Sequence, residues 1–222
     1  MRAPLLCVVA LAACASTAPA GRKDSVNDPI VQSGHPVLRQ RAADVPPEEI
    51  RTPEFQALVA RMVAAMRAAP GVGLAAPQLG VPKRVFVVED PAALQASLTP
   101  VERSERERAP LPLRVLVNPT VTPVGDEKVT FWEGCLSVSG YSALVARFRE
   151  VEVSALDEHG APFTWRVRGW PARILQHESD HLDGTLYVDR MVSRSFGTTP
   201  QVKARFGGQP IAAALEAFAA PR

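Results

Sequence analysis

The chain has 222 residues, of which 46% are hydrophobic and 22% charged, and its formal net charge is +2. That length holds one domain with a real core and is marginal for two. The near-neutral balance, with no long run of one sign, argues against a nucleic-acid partner or a polyelectrolyte tail.

The first 23 residues, "MRAPLLCVVALAACASTAPAGRK", follow an export-signal pattern: Arg2, an apolar run, then small residues. The run is too short to span a bilayer. "LAAC", Leu11 to Cys14, resembles the box before the lipid-modified cysteine of bacterial lipoproteins. Lipid on Cys14 would anchor the protein in the bacterial envelope, with Ala15 to Lys23 as a leash. The alternative is an upstream start that is not used and a cytoplasmic protein. Cys7 and Cys14 fall in this segment, so the folded part keeps Cys135 alone. A lone cysteine builds no internal disulfide. It is an apolar filler, a reactive thiol or a metal ligand.

"TPEFQALVARMVAAMRAAPG" predicts a helix. Thr52 caps it, Pro53 suits its first turn, and Gly71 follows its end. Phe55, Leu58, Val59, Met62 and Met66 share one face and predict core packing. In "PGVGLAAPQLG", Gly71, Gly73 and Ala76 fit the spacing of a dinucleotide fingerprint. That motif needs a strand before it and a helix after it, whereas here a helix precedes and Pro77 follows. The glycines instead let a backbone approach a ligand, with the Gln78 amide close by.

Residues 84–89 and 114–119 read as strands, and "SLTPVERSERERAPLP" between them as a solvated loop with no chemistry. "KVTFWEG" is a further strand. "ALVARFREVEVSALD" and "FTWRVR" alternate around "DEHG" and predict a hairpin. A helix follows from about Pro171 to Leu182, after Gly169 and closed by Gly184. Beyond Val192 the chain turns polar and irregular, then ends in "IAAALEAFAA", a candidate short helix.

The last long helix carries "QHESDH". Positions four apart share a helix face, so His177 and His181 can point at one ion. Glu178 lies about 100° around the axis, placed to handle protons without ligating. A catalytic centre of this kind uses three protein ligands. No histidine follows His181, Asp183 lies off the ligand face, and His35 and His159 fall in loop-like stretches. Cys135, in "WEGCLSV", is the remaining strong candidate, and would bind as a thiolate.

The segments G-V-G-L-A-A-P-Q, E-G-C-L-S and Q-H-E-S-D-H, in that order, resemble the three signature motifs of the peptide deformylases. The likeness runs from about Asp28 to Met191, and "GWPARILQHESDHLDGTLYVDRM" resembles the organelle-like subgroup. The resemblance implies an α+β fold, with mostly antiparallel strands around the H-E-x-x-H helix. It divides the chain into a signal-like segment (1–23), a catalytic domain (24–192) and a C-terminal tail (193–222). It implies one divalent metal, typically Fe(II), with Zn, Ni or Co able to replace it. Cys135, His177 and His181 would hold the ion. Glu178 would take a proton from the metal-bound water. The Gln78 amide and the Leu136 backbone N–H would hold the oxyanion. The substrate would be a formyl-Met peptide or nascent chain, and formate would be released. Its backbone would lie along Val72 and Gly73 as an added strand. Phe131, Trp170 and Ile174 would line the methionine pocket, or serve as ordinary core. Glu133 would orient a ligand histidine or pair with an arginine.

Departures from the family pattern stand at Ser179, usually apolar, and at Pro70 and Ser142, often acidic and arginine. Two rival readings remain at this stage. An H-E-x-x-H metalloprotease would take its third ligand downstream. A non-catalytic binding protein on the same scaffold would not need Glu178.

Overall fold

A computed structural model describes residues 30–219. The first long helix, α1 (Pro53–Ala68), starts as its sequence dictates: the Thr52 hydroxyl accepts the Phe55 N–H. Its five apolar positions are buried, each contributing roughly 1.5–3 kcal/mol if fully removed from water. The chain then forms β1 (Gly73–Ala75) and β2 (Val85–Asp90). A short helix, α2 (Pro100–Glu105), comes before β3 (Leu111–Pro123), β4 (Lys128–Cys135) and β5 (Val138–Phe148). β6 (Glu150–Leu156), β7 (Pro162–Arg168) and α3 (Trp170–Leu182) follow. The described chain ends with β8 (Gly197–Thr198), α4 (Thr199–Phe206) and α5 (Ile211–Phe218).

Five strands form one antiparallel sheet in the order β1-β2-β3-β6-β7, and β4-β5-β8 form a second. β2 shows how the large sheet is covered. Val85 and Val87 join α1 in one core cluster, whereas Phe86 and Val88 join Ala172, Leu175 and Leu182 of α3 in another. Successive side chains of a strand point to opposite faces. The apolar run of β2 therefore reflects burial on both sides. α3 also contacts β5 of the small sheet, so it lies where the two sheets meet. The fold is the expected α+β arrangement of mostly antiparallel strands.

Three expectations need correction. The segment read as a featureless loop carries α2, whose Thr99 and Glu102 side chains cap it reciprocally, and β3 starts inside it at Leu111. The alternating run 143–157 does not form one arm of a hairpin. It breaks at Arg149, whose N–H donates to Glu127 and whose carbonyl accepts from Gly169, so "ALVARF" stays in the small sheet. The hairpin is β6 with β7. The stretch after Val192 is ordered into β8 and α4 as well as the expected C-terminal helix. Cys7, Cys14 and the signal-like segment lie outside the described residues.

Candidate active site

α3 begins at Gly169, whose φ of +67° suits glycine. A Cβ there would also lie 3.0 Å from the Arg106 carbonyl oxygen, so the α2 segment packs hard against the helix start. One turn apart on α3, the His177 and His181 rings meet edge to face, with centroids 5.1 Å apart. The β4–β5 turn delivers Cys135 to them, and its Sγ lies 3.3 Å from His181 Nε2. Donor atoms of Cys135, His177 and His181 all lie within 4.8 Å of one another.

These residues fit a divalent ion. A tetrahedral centre with sulfur and imidazole ligands holds them about 3.5 Å apart, close to the separation of Cys135 and His181. His177 is committed through Nδ1 to Glu133 Oε2, at 3.0 Å, which leaves Nε2 for the ion. Glu178 Oε2 is buried without a protein partner. Buried polar atoms are seldom left so. An ion and its water would supply what the carboxylate lacks.

The surroundings set the charges. Burial pushes the Glu178 carboxyl up to about 7, and the negative charges of Glu133 and Asp180 add to this. Burial also keeps His181 neutral, its pKa lowered well below the usual value, with the charges of His177 and Arg147 acting the same way. Burial opposes charge on His177 too, but its hydrogen bonds to Cys135 and Glu133 outweigh that and raise its pKa. Glu133 contacts both a histidine and arginines. Besides His177 it binds Arg147, through Nε and Nη2 at 3.0 and 2.9 Å, and Arg173. Arg147 continues to Asp180 on α3.

Gln78 reaches the centre from a short turn after β1. Its Oε1 accepts the Ala75 N–H at 2.8 Å, so its NH₂ faces Cys135 Sγ at 3.7 Å and Ser137 Oγ at 3.3 Å. Leu136 occupies the β4–β5 turn, its carbonyl held by Gln32 and Ser139.

A cleft of about 580 Å³ opens over these groups. Val72, Gly73, Gln78, Leu136, Trp170, Ile174, His177 and Glu178 all line it, as do Pro70 and Ser142. Gly73 belongs to β1, an edge strand that pairs only with β2 among the described residues. Phe131 is not in this cleft. It lies behind, its ring meeting Trp170 at 6.4 Å and covered by the Arg173 guanidinium at 5.3 Å. The position expected in the side-chain pocket is thus filled by Trp170 and Arg173, and Phe131 faces a smaller cavity of about 150 Å³.

Sequence reasoning missed Arg108, Arg147, Arg173, Asp180 and Thr199. Arg108 comes from the segment read as having no chemistry. It lines the cleft, fixed by Asp90 through Nε and Nη2 at 2.7 and 2.9 Å. The periodic reading of α3 held a signal for the buried pairs: Arg173 and Asp180 lie seven apart and on one face. The other candidates stand elsewhere. Asp183 pairs with Arg84, while His35 caps a turn and His159 sits in the β6–β7 turn.

Such a donor set, with a buried glutamate beside it, suits a hydrolase that works through a bound divalent cation. Comparison with known proteins narrows that class. The polypeptide deformylase family model matches residues 27–196. Peptide deformylase 1 of Streptomyces coelicolor is 51% identical over 170 residues, 77% of this chain and 76% of that protein. The mitochondrial peptide deformylase of Homo sapiens is 48% identical over 167 residues, 75% of this chain and 69% of that one. The chloroplastic peptide deformylase 1A of Solanum lycopersicum is 46% identical over 177 residues, 80% of this chain and 64% of that one. A crystal structure of a class I type b peptide deformylase from Acinetobacter baumannii, bound to Met-Ala-Ser, superposes with a TM-score of 0.65 at 34% identity, over 73% of this chain and 97% of that one. The chain belongs to the polypeptide deformylase family. Its reaction is the family's metal-dependent removal of the N-formyl group from nascent peptides.

Proposed function

We propose that Cys135, His177 and His181 hold the ion, that Glu178 is the general acid–base, and that Gln78 and Leu136 stabilise the oxyanion. The observation that carries this is the meeting of three donor atoms within 4.8 Å beside the partnerless Glu178 Oε2. When bound, a divalent ion supplies Lewis acidity and lowers the pKa of water. Glu178 accepts a proton from the attacking water. As the formyl carbonyl oxygen gains charge, the Gln78 NH₂ and the Leu136 N–H donate to it, aimed before the reaction starts. Glu178 then gives its proton to the leaving nitrogen, and formate and a free amine depart. The peptide lies along Val72 and Gly73 as an added strand. The methionine side chain enters between Trp170 and Ile174. Met-Ala-Ser in the Acinetobacter baumannii structure supports a peptide N-terminus as occupant of this cleft.

Fe(II) is the proposed native metal, replaceable by Zn, Ni or Co, because one soft thiolate and two imidazoles accept all four. Formate release from formyl-Met-Ala, measured before and after chelation and reloading, tests the site. Casein cleavage without formate release would favour a protease instead. We also propose that the N-terminal segment directs the chain to the bacterial envelope with lipid on Cys14. The sequence pattern supports it. No helix among the described residues is long and apolar enough to cross a membrane. Fractionation with mass analysis of the N-terminus decides this: an unmodified Met1 in the soluble fraction would end the idea.

A further inference from the structure

The family match ends at residue 196, and the chain beyond it folds back onto the cleft. β8 pairs Gly197 with Ser142 and Thr198 with Tyr141. The Ser142 and Thr199 hydroxyls are hydrogen-bonded at 2.8 Å. Gly140, Tyr141, Ser142 and Thr199 all line the cleft. The Phe196 ring stacks on Tyr141, with centroids 5.0 Å apart and planes 6° from parallel. Both residues are 42% exposed. The segment is anchored by Trp132, itself at the cleft, which packs on Phe206 and Phe218 at 5.5 and 5.9 Å.

We propose that Tyr141, Phe196 and Thr199 form the subsite for the third residue of the substrate, and that it selects a neutral, apolar or aromatic side chain. This rests on the deformylase reading of the cleft. Three observations carry it. The first is continuity: Gly134 pairs with Ser142, so this wall begins one residue from Cys135, where the formyl end is processed. The second is alternation. In an extended peptide the first and third side chains point the same way, so a methionine buried in the cleft sends the third residue toward the protein and the second toward solvent. The third residue also stands about 7 Å past the methionine, at ~3.4 Å per residue. The third observation is charge. Outside the proposed metal ligands, the charged groups of the cleft are Arg108, Glu133, Arg173 and Glu178. Arg108 is bound to Asp90, Glu133 and Arg173 pair with each other, and Glu178 stands at the reaction centre. None belongs to the Tyr141–Thr199 wall. A flat, half-exposed aromatic pair next to a peptide cleft gains by being covered, and no charged residue among those lining this wall of the cleft would pair with a charged side chain.

The test uses the full-length, metal-loaded protein with formyl-Met-Ala, formyl-Met-Ala-Phe and formyl-Met-Ala-Lys. The native protein should show a KM for the Phe peptide roughly 10-fold below that for the Lys peptide, the discrimination expected of one side-chain contact. Phe196→Ser should raise KM for the Phe peptide roughly 10-fold more than for formyl-Met-Ala. Thr199→Glu should shift the preference toward the Lys peptide, a gain that misfolding cannot imitate. Equal KM values for the two tripeptides with the native protein would overturn the proposal. So would a Thr199→Glu variant that releases formate with the native preference. If the native protein releases no formate from formyl-Met-Ala, the deformylase reading itself fails, and the two failures remain distinct.

Discussion

The Glu178 carboxylate occupies the space that a side chain on residue 73 would need. A Cβ built on Gly73 would stand 2.7 Å from Glu178 Cδ and 2.8 Å from its Cγ, well inside the contact distance of nonbonded carbons. The edge strand thus brings bare backbone against the proposed proton-transfer group, and the same strand is proposed to bind the substrate backbone. Gly73→Ala should displace Glu178 and lower kcat/KM by about 10²-fold or more, the low end of what a general base contributes. Metal content, read by mass spectrometry, should stay near one ion per chain, since the atoms nearest that position belong to Glu178 and not to a proposed ligand. Native kcat/KM in this variant would show that the carboxylate has room to move.

On the proposed assignment, proton transfer at Glu178 sets the acid side of the pH profile. Burial pushes its carboxyl up to about 7, and a cation among Cys135, His177 and His181 favours the carboxylate and pulls it back down. The base form is needed for attack. Activity should therefore fall as pH drops through an apparent pKa no higher than about 7. Glu178→Gln should abolish that limb and lower kcat by about 10²–10⁴-fold. A limb that persists unchanged in the Gln variant would assign it to another group.

Removal of the metal should leave a folded but inactive protein. The three proposed ligands stand on α3 and at the end of β4, each built into packed structure without the ion. Glu133, Arg147, Arg173 and Asp180 tie those elements together by direct ion pairs. Chelation should stop formate release, and Co(II) or Ni(II) should restore it. The Fe(II) form should lose activity in air faster than the Ni(II) form, because thiolate and Fe(II) both oxidise. Circular dichroism before and after chelation checks the first half: loss of the helical signal would make the ion part of the fold.

The parts of the molecule that the sequence made legible are those with local period or fixed spacing. α1, the ligand helix and the two histidines follow from 3.6-residue periodicity and capping. Cys135 emerged because a three-ligand centre lacked a third donor and few residues could supply one. What stayed hidden depends on contacts between distant stretches. Arg108 looks like one more charge in a polar run until Asp90 fixes it in the cleft wall. Phe131 sits in a strand that reaches the site, but whether Phe131 or Trp170 faces the cleft depends on how Arg173 packs between sheet and helix. Thr199 follows a stretch with no period, and only pairing with β5 brings it to the site. The reciprocal cap of Thr99 and Glu102 is a local signal, but the charges around it read as a solvated loop.

Glu133 connects the metal site to the stability of the fold. Its side chain is nearly sealed from solvent yet contacts His177, Arg147 and Arg173. Burial alone would raise its pKa, but hydrogen bonds from His177 and Arg147 outweigh that and hold it well below the usual carboxylate range. A group whose native pKa is depressed contributes stability that is complete above its unfolded pKa, about 4.3 for glutamate. That stability is lost as pH falls through the native value. Glu133→Gln leaves two buried guanidiniums without their full countercharge and should cost about 3–5 kcal/mol at pH 7. Metal affinity should also drop by about 10–100-fold, since Glu133 fixes the tautomer and orientation of His177. Urea melts at pH 7 and pH 3.5 separate this from mere loss of packing. The gap between native protein and Glu133→Gln should be widest at pH 7 and shrink in acid. A gap of the same size at both pH values would mean that Glu133 acts through shape and not through its charge.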